Sequence, residues 1–324
     1  MKAYCVAGHN FQVVSSNKQL LTRMTNYEPF GVSQERGTEF VFVLDVEQEG
    51  LLSDEQRKAY QHMFTDNFED DMPRVEVYRS LEKDWLIRIS QIAISPICCE
   101  LVCTSDFTRG MLRIDRDCQD VRFCIDNGLM LMYAFRTAPL MTLEMHAAVV
   151  VKKEAMGNGL SAIGEEEAKR REGEEAKGYL FLGHSGTGKS THARQWLAAY
   201  DDAWLLNDDN PILRVMDDGQ VRVYGSPWSG KTPCYKAESY PLLAIVRLSQ
   251  APHNRIRPLR GVQAIGALLP SMPPAFAFDR VLEEHTLATL SAVLRGVKAY
   301  HLECLPNGEA ARLSCETVFG DADK

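Results

Sequence analysis

GYLFLGHSGTGKSTHARQWLAAY, residues Gly178–Tyr200, joins three local patterns in one stretch. Tyr179–Leu182 is a short apolar run of the kind that forms a buried strand. The octet from Gly183 to Ser190 fits the spacing G-x-x-x-x-G-K-[ST]. From Thr191 to Tyr200, Ala193, Trp196, Leu197 and Tyr200 recur at helical spacing. Strand, glycine loop and helix, in that order, are the context in which this spacing has a physical meaning.

The residue types suit one task. Glycines at 183, 186 and 188 let the loop curl until successive backbone N–H groups point inward. With the positive end of the following helix, such a nest receives a polyphosphate. The run Gly183-His184-Ser185-Gly186-Thr187-Gly188-Lys189-Ser190-Thr191 is therefore the candidate nucleotide-binding segment. Lys189 reaches the outer phosphates as a point charge, and the Ser190 hydroxyl is a ligand for Mg²⁺.

The 324 residues suffice for two domains, and 45% hydrophobic with 25% charged residues fits a soluble globular chain. Lys and Arg number 36 against 44 Asp and Glu, a formal charge of −8, so a nucleic-acid partner is not expected. No apolar run is long enough to span a membrane, and the first residues lack the apolar core of a signal peptide. Nine cysteines show no zinc-like pairing in the sequence and read as reduced, mostly packing thiols of a cytoplasmic protein. Cys98 and Cys99 are adjacent in an expected strand, which would send their side chains to opposite faces.

Residues 1–126 read mostly as strands. Lys2–Ala7 and Phe11–Val14 suggest a hairpin. Glu39–Val46, Val75–Ser80, Trp85–Ile92, Cys98–Ser105, Met111–Arg116 and Val121–Ile125 follow as an antiparallel meander. Gln19–Tyr27 reads as a short helix, and Leu51–Asp71 as polar helix and loop. Leu129–Ala138 is an apolar helix closed by Pro139. Met141–Val151 reads as one buried strand with His146 in its middle. These patterns set a β-rich (α+β) accessory domain over 1–139 and an α/β domain over 140–324. Within the latter, residues 152–177 differ: ten of the thirteen from Glu165 to Lys177 are charged. Such a segment buries too little apolar surface to offset its ordering entropy, so a mobile excursion between two neighbouring strands is expected.

Beyond the glycine loop, Ala203–Asn207 is an apolar strand that runs into Asp208-Asp209-Asn210. That is the arrangement of a Walker B strand, whose carboxylate holds Mg²⁺, and equally the turn chemistry of a strand end. Ile212–Val215 and Val221–Tyr224 flank Asp217-Asp218-Gly219 as a hairpin. Gly225–Pro233 is a glycine- and proline-punctuated loop carrying Lys231, which either closes over a phosphoryl acceptor or is a surface turn. Leu242–Leu248, Arg255–Pro258 and Lys298–Cys304 read as strands. Gly261–Leu269, Asp279–Arg295 and Glu309–Phe319 read as helices.

Four features, in order, resemble the HPr kinase/phosphorylase catalytic domain, in the P-loop group that includes phosphoenolpyruvate carboxykinases. They are Leu143-Glu-Met-His146-Ala-Ala, GHSGTGKS one strand later, the Asp208-Asp209 pair, and Tyr300-His-Leu-Glu-Cys-Leu-Pro. The resemblance covers about Thr142–Phe319; the N-terminal half resembles the accessory domain of the same bacterial group. It implies an HPr-kinase/carboxykinase-like mixed sheet with helices, ATP and Mg²⁺ as cofactors, and a hydroxyl-bearing protein, peptide or small molecule as acceptor. It also implies roles: Ser190 and Asp208 on Mg²⁺, Asp209 as general base, and His146 near the transferred phosphoryl group. Lys231 is assigned to the transferring group from its loop chemistry. The arginine- and glycine-rich signature of HPr kinases after the aspartate pair is absent; GSPWSGKTP stands there. A carboxykinase-like lyase and a nucleotide-binding regulatory module without turnover are the alternative readings.

Trypsin at low ratio is expected to cut the native chain first between Lys169 and Lys177. Full protection of that stretch would overturn the compositional argument.

Overall fold

The computed structural model describes residues 1–33, 35, 37–66, 73–153, 176–230, 232–273 and 279–322. Its contacts define two compact units, Met1–Leu140 with Pro273–Thr286, and Met141–Met272 with Leu287–Lys324. Both are mixed α/β. The return of Pro273–Thr286 to the first unit has no counterpart in the sequence pattern, which suggests one uninterrupted domain from 140 onward.

The first unit holds an eight-stranded sheet ordered β1-β2-β3-β8-β7-β6-β5-β4. Its strands are β1 (Lys2–Val6), β2 (His9–Val14), β3 (Phe42–Glu47), β4 (Tyr60–Asp66), β5 (Val75–Ser80), β6 (Trp85–Ser90), β7 (Ile97–Cys103) and β8 (Arg109–Ile114). Strands β4 to β8 form an antiparallel meander. The sheet is nonetheless mixed, because β3 runs parallel to both β2 and β8. Alternate residues of β2 and β3, among them Phe11, Val13, Phe42, Leu44 and Val46, are buried. The short helices α1 (Lys18–Leu21) and α2 (Asp54–Arg57) precede the long α3 (Val121–Thr137). Helix α3 approaches the sheet closely: a Cβ on Gly128 would lie 2.8 Å from Leu112 Cδ1, and one on Gly110 would lie 2.5 Å from Met132 Sδ.

Three expectations are corrected here. Val121–Ile125 is the start of α3, not a strand. Its β-branched and aromatic residues suit a strand, but the Asp120 carboxylate accepts from the Phe123 amide at 3.0 Å and caps the helix. Cys124, Ile125, Gly128, Leu129 and Met132 then form its buried face. Tyr60–Asp66, expected as helix and loop, is the edge strand β4; an edge strand that buries little carries little apolar alternation. Finally, Cys98 and Cys99 do not diverge. Ile89 pairs with Cys99 and Ser90 with Ile97, so Cys98 is the extra residue of a β-bulge, and both cysteines are buried.

The second unit contains β9 (Thr142–Glu144), β10 (Ala147–Lys153), β11 (Ala176–Leu182), β12 (Ala203–Asp209), β13 (Ile212–Val215), β14 (Val221–Tyr224), β15 (Ser239–Gln250), β16 (Arg255–Leu259) and β17 (Lys298–Cys304). The order is β12-β10-β11-β15-β14-β13-β9, with β17 beside β15 and β16 beside β17. The long β15 joins two parts of the sheet. Its start pairs with β14 at Ser239–Pro241, and its remainder pairs in parallel with β11 and β17. Strands β10 and β11 are antiparallel neighbours, so the charged segment does connect adjacent strands; its residues 154–175 lie outside the described residues. The single strand expected over Met141–Val151 is two. Strand β9 pairs with β13 and β10 with β11 and β12, and Met145-His146 forms the break between them.

The α-helices after α3 are α4 (Lys189–Ala199), α5 (Val262–Leu268), α6 (Arg280–Gly296) and α7 (Gly308–Ala322). Helices α4 and α7 bury their apolar faces against one side of the sheet. Ala148 and Val150, Tyr179 and Phe181, Val246 and Leu248, and Tyr300 and Leu302 meet Trp196, Ala311 and Val318 in one core. The period of two along each strand is what places them on one face.

Trp196 is fully buried, with ring centroids 4.8 Å from Tyr179 and 5.5 Å from Phe181, and its Nε1 donates to Ser314 Oγ at 2.9 Å. Trp196→Ala should cost about 3–5 kcal/mol, read as a lowered urea midpoint. A loss below about 1 kcal/mol would contradict this core.

Candidate active site

Strand register assembles the site. Asp209 of β12 pairs with Ala147 of β10, and Ala147 pairs with Leu182 of β11. Strand β10 runs opposite to both. The residues beyond that row, Asn210, His146 and Gly183, therefore leave the sheet at the same edge. Arg247 lies beside Leu182, and His301 beside Arg247, so the carboxyl ends of the parallel strands β11, β15 and β17 open there too. In open α/β sheets that edge is where ligands bind.

The glycine loop occupies this edge. Gly186 and Gly188 have φ of 74° and 104°, a left-handed backbone that a Cβ disfavours. Gly188 is the residue at which α4 starts, and no side chain caps that end. The first amides of α4 thus keep their donors for an external acceptor. Lys189 folds back over the loop: its Nζ donates to Gly183 O at 2.9 Å and to His184 O at 3.4 Å. Gln250 Nε2 braces the loop from β15 by donating to Gly186 O at 3.2 Å. His184, Ser185 and Gly186 are exposed, and Thr187, Ser190 and Thr191 are half-buried.

Opposite the loop stands the end of β12. Buried Asn207 organises it, with Nδ2 donating to Ser226 Oγ at 3.1 Å and Trp228 O at 3.2 Å, and Oδ1 accepting from the Asp209 amide at 2.9 Å. Ser226 Oγ donates in turn to Asn210 O at 2.5 Å. These bonds staple the 225–230 loop to the aspartate pair. Gly230 comes so close that a Cβ would lie 3.1 Å from Asp208 O and 3.3 Å from Asp209 Cβ. The loop is thus more than a surface turn, for Gly225 to Trp228 are buried. Lys231, the sequence candidate on this loop, lies outside the described residues.

The two aspartates differ. Asp208 is buried, and its Oδ1 has no hydrogen-bond partner among the described residues. Asp209 faces His146, whose Nε2 lies 3.5 Å from Asp209 Oδ1. Burial raises the Asp209 carboxyl to about 6, against the pull of Lys189 and with the push of Asp208. Burial, then the Lys189 charge, lowers His146 to about 4, so its imidazole is neutral near pH 7. Burial also lowers Lys189, while Asp209 and Asp208 oppose the shift.

The sequence reading missed several members of this site. Glu144, on β9, is buried with an unpartnered Oε2, and burial followed by the Asp209 charge raises it well above the carboxylate range. Both causes favour its protonated form beside Asp209. Its one sequence signal was a glutamate inside an apolar run, two residues before His146. Asn207 and Gln250 had none, because their partners are distant in the chain.

No protein-family model matches the chain, and no curated protein matches it in sequence. Among the described residues, no helix is long and apolar enough to cross a membrane.

A carboxyl raised by folding makes the folded state bind protons more readily than the unfolded one. Its contribution to stability therefore falls as pH rises from the ordinary aspartate range through about 6. Asp209→Asn should melt higher than the parent protein at pH 8, with the gain shrinking toward pH 4. Equal melting at pH 8 would show that Asp209 is not a strained carboxylate.

Proposed function

We propose that the second unit is an HPr-kinase-like P-loop domain, an ATP- and Mg²⁺-dependent phosphotransferase. It moves the γ-phosphoryl group to a hydroxyl of a protein, peptide or small molecule. The observation that carries this reading is the meeting of Lys189, His146 and Asp209 at the mouth of the Gly183–Gly188 loop.

The donors suit the cofactors. The curled loop and the uncapped start of α4 offer N–H groups to phosphates. The orphaned Asp208 Oδ1 is a buried acceptor that a cation would satisfy, and the hydroxyl of Ser190, the second residue of α4, would be the other ligand. Bound Mg²⁺ supplies charge neutralisation between the phosphates. Lys189 exchanges the Gly183 and His184 carbonyls for phosphate oxygens. Asp209 takes the acceptor proton; the acceptor oxygen bonds to the γ-phosphorus as the bond to the β–γ bridging oxygen breaks, releasing ADP. A carboxyl near 6 is ionised at neutral pH and still basic enough for that proton. Neutral His146, with Nε2 3.5 Å from Asp209 Oδ1, stands beside that carboxyl and limits where it can turn.

The test is ³¹P NMR of the protein with Mg-ATP, with and without a clarified extract of its source cells. A new phosphoester resonance is expected, absent in Lys189→Ala. Asp209→Asn should bind ATP while transferring at least about a hundredfold more slowly. The parent rate should rise with pH through about 6, a limb the variant lacks. ATP that binds and stays intact with extract present would overturn the proposal in favour of a regulatory module.

A further inference from the structure

The first unit contains a second concentration of reactive groups. The sulfurs of buried Cys98, Cys99 and Cys124 all lie within 4.8 Å of one another. Cys118 joins them, with its Sγ 3.6 Å from Cys124 Sγ. Three of the nine cysteines thus form a tight trio, and Cys118 stands at its edge beside Cys124.

Three separate features of the fold bring them there. The β-bulge at Cys98 turns two adjacent strand residues toward the same helix. The chain leaving β8 folds back over the start of β7, where the Asp115 amide donates to Cys98 O at 2.9 Å. That turn is held by the Cys118 amide on Asp115 O (3.1 Å), the Asp117 amide on Asp115 Oδ1 (2.9 Å) and Gln48 Nε2 on Cys118 O (3.0 Å). Cys118 is therefore placed by backbone contacts, not by its own side chain. Helix α3 then starts at the Asp120 cap and delivers Cys124 within its first turn.

We propose that Cys98, Cys99, Cys118 and Cys124 form a binding site for a zinc ion. Four sulfurs about 2.3 Å from a tetrahedral zinc stand about 3.8 Å apart, close to the Cys118–Cys124 separation. An all-thiolate set selects zinc over the hard cations that carboxylates hold. The Cys98 and Cys124 thiols donate to the carbonyls of Ile89 (3.3 Å) and Cys98 (3.8 Å). These are weak donors, and the thiol protons are released to solvent as zinc binds. No electron moves. Cys118 is the half-buried member, so the ion enters from its side, flanked by exposed Asp117 and Asp120. The spacing, two adjacent cysteines and then a C-x₅-C pair, has no zinc-finger pattern, and only the bulge makes it a site.

The full chain, expressed with zinc and purified under reducing conditions, should carry about one zinc per chain by elemental analysis. Replacing zinc with Co²⁺ should give a sulfur-to-cobalt charge-transfer band and intense tetrahedral d–d bands. Cys118→Ser, at a half-buried position that folding tolerates, should weaken both bands and raise the zinc dissociation constant at least about tenfold. Cys103→Ser and Cys315→Ser, outside the cluster, should leave the spectrum unchanged. A parent protein that stays metal-free and gives no charge-transfer band with Co²⁺ would overturn the proposal. So would a cobalt spectrum that survives Cys118→Ser, or disulfides among these four residues in protein purified without reductant.

Discussion

The pairing of β10 with β11 on one edge and β12 on the other is the constraint on which the candidate active site depends. One register row, Asp209–Ala147–Leu182, decides which residues leave the sheet together. Because side chains alternate with a period of two, a slip of one residue would turn Val150, Tyr179 and Phe181 out of the core they share with Trp196. The apolar core under α4 and α7 thus holds the register. The register in turn holds His146, Gly183 and the aspartate pair at one edge. Packing energy in one layer becomes positional accuracy in the next.

That edge is also where charge is confined. Lys189, Asp208, Asp209 and Glu144 lie in or against a buried sheet end, and desolvation is the leading cause of the shifts of Lys189, Asp209 and Glu144. The consequences differ with each partner. Asp209 keeps the lysine and a neutral imidazole and stays ionised near pH 7. Glu144 has a carboxylate neighbour, and burial and that charge both push its carboxyl up. Asp208 keeps an unsatisfied oxygen. Removing polar atoms from water without partners costs free energy, and a binding site is where a fold retains such a cost.

The cysteine cluster follows the same logic with different chemistry. A single inserted residue in β7 converts two diverging thiols into converging ones, a hydrogen-bonded turn adds Cys118, and the start of α3 adds Cys124. Neither the bulge nor the turn is a side-chain pattern. The bulge is decided by which backbone groups pair, and the turn by backbone bonds together with the side chains of Asp115 and Gln48.

What the sequence determined by itself is local. The glycine spacing, the apolar run before it and the helical stripe after it lie within a few residues of one another. Strand β11, the loop and α4 were accordingly legible. So were β5, β13, β14 and β17, whose ends match the sequence reading to the residue. The aspartates at the end of β12 were visible as candidates, though their unequal environments were not. Only the tertiary structure decided the rest. It split the run around His146 into β9 and β10, because each half pairs with a different strand. It made β4 an edge strand with almost no apolar signature, and it turned Val121–Ile125 into helix through one capping carboxylate. It also brought in Glu144, Asn207 and Gln250, whose roles rest on partners far along the chain. Propensity and periodicity act over one or two turns of chain, whereas register, desolvation and bulges depend on which distant strands meet.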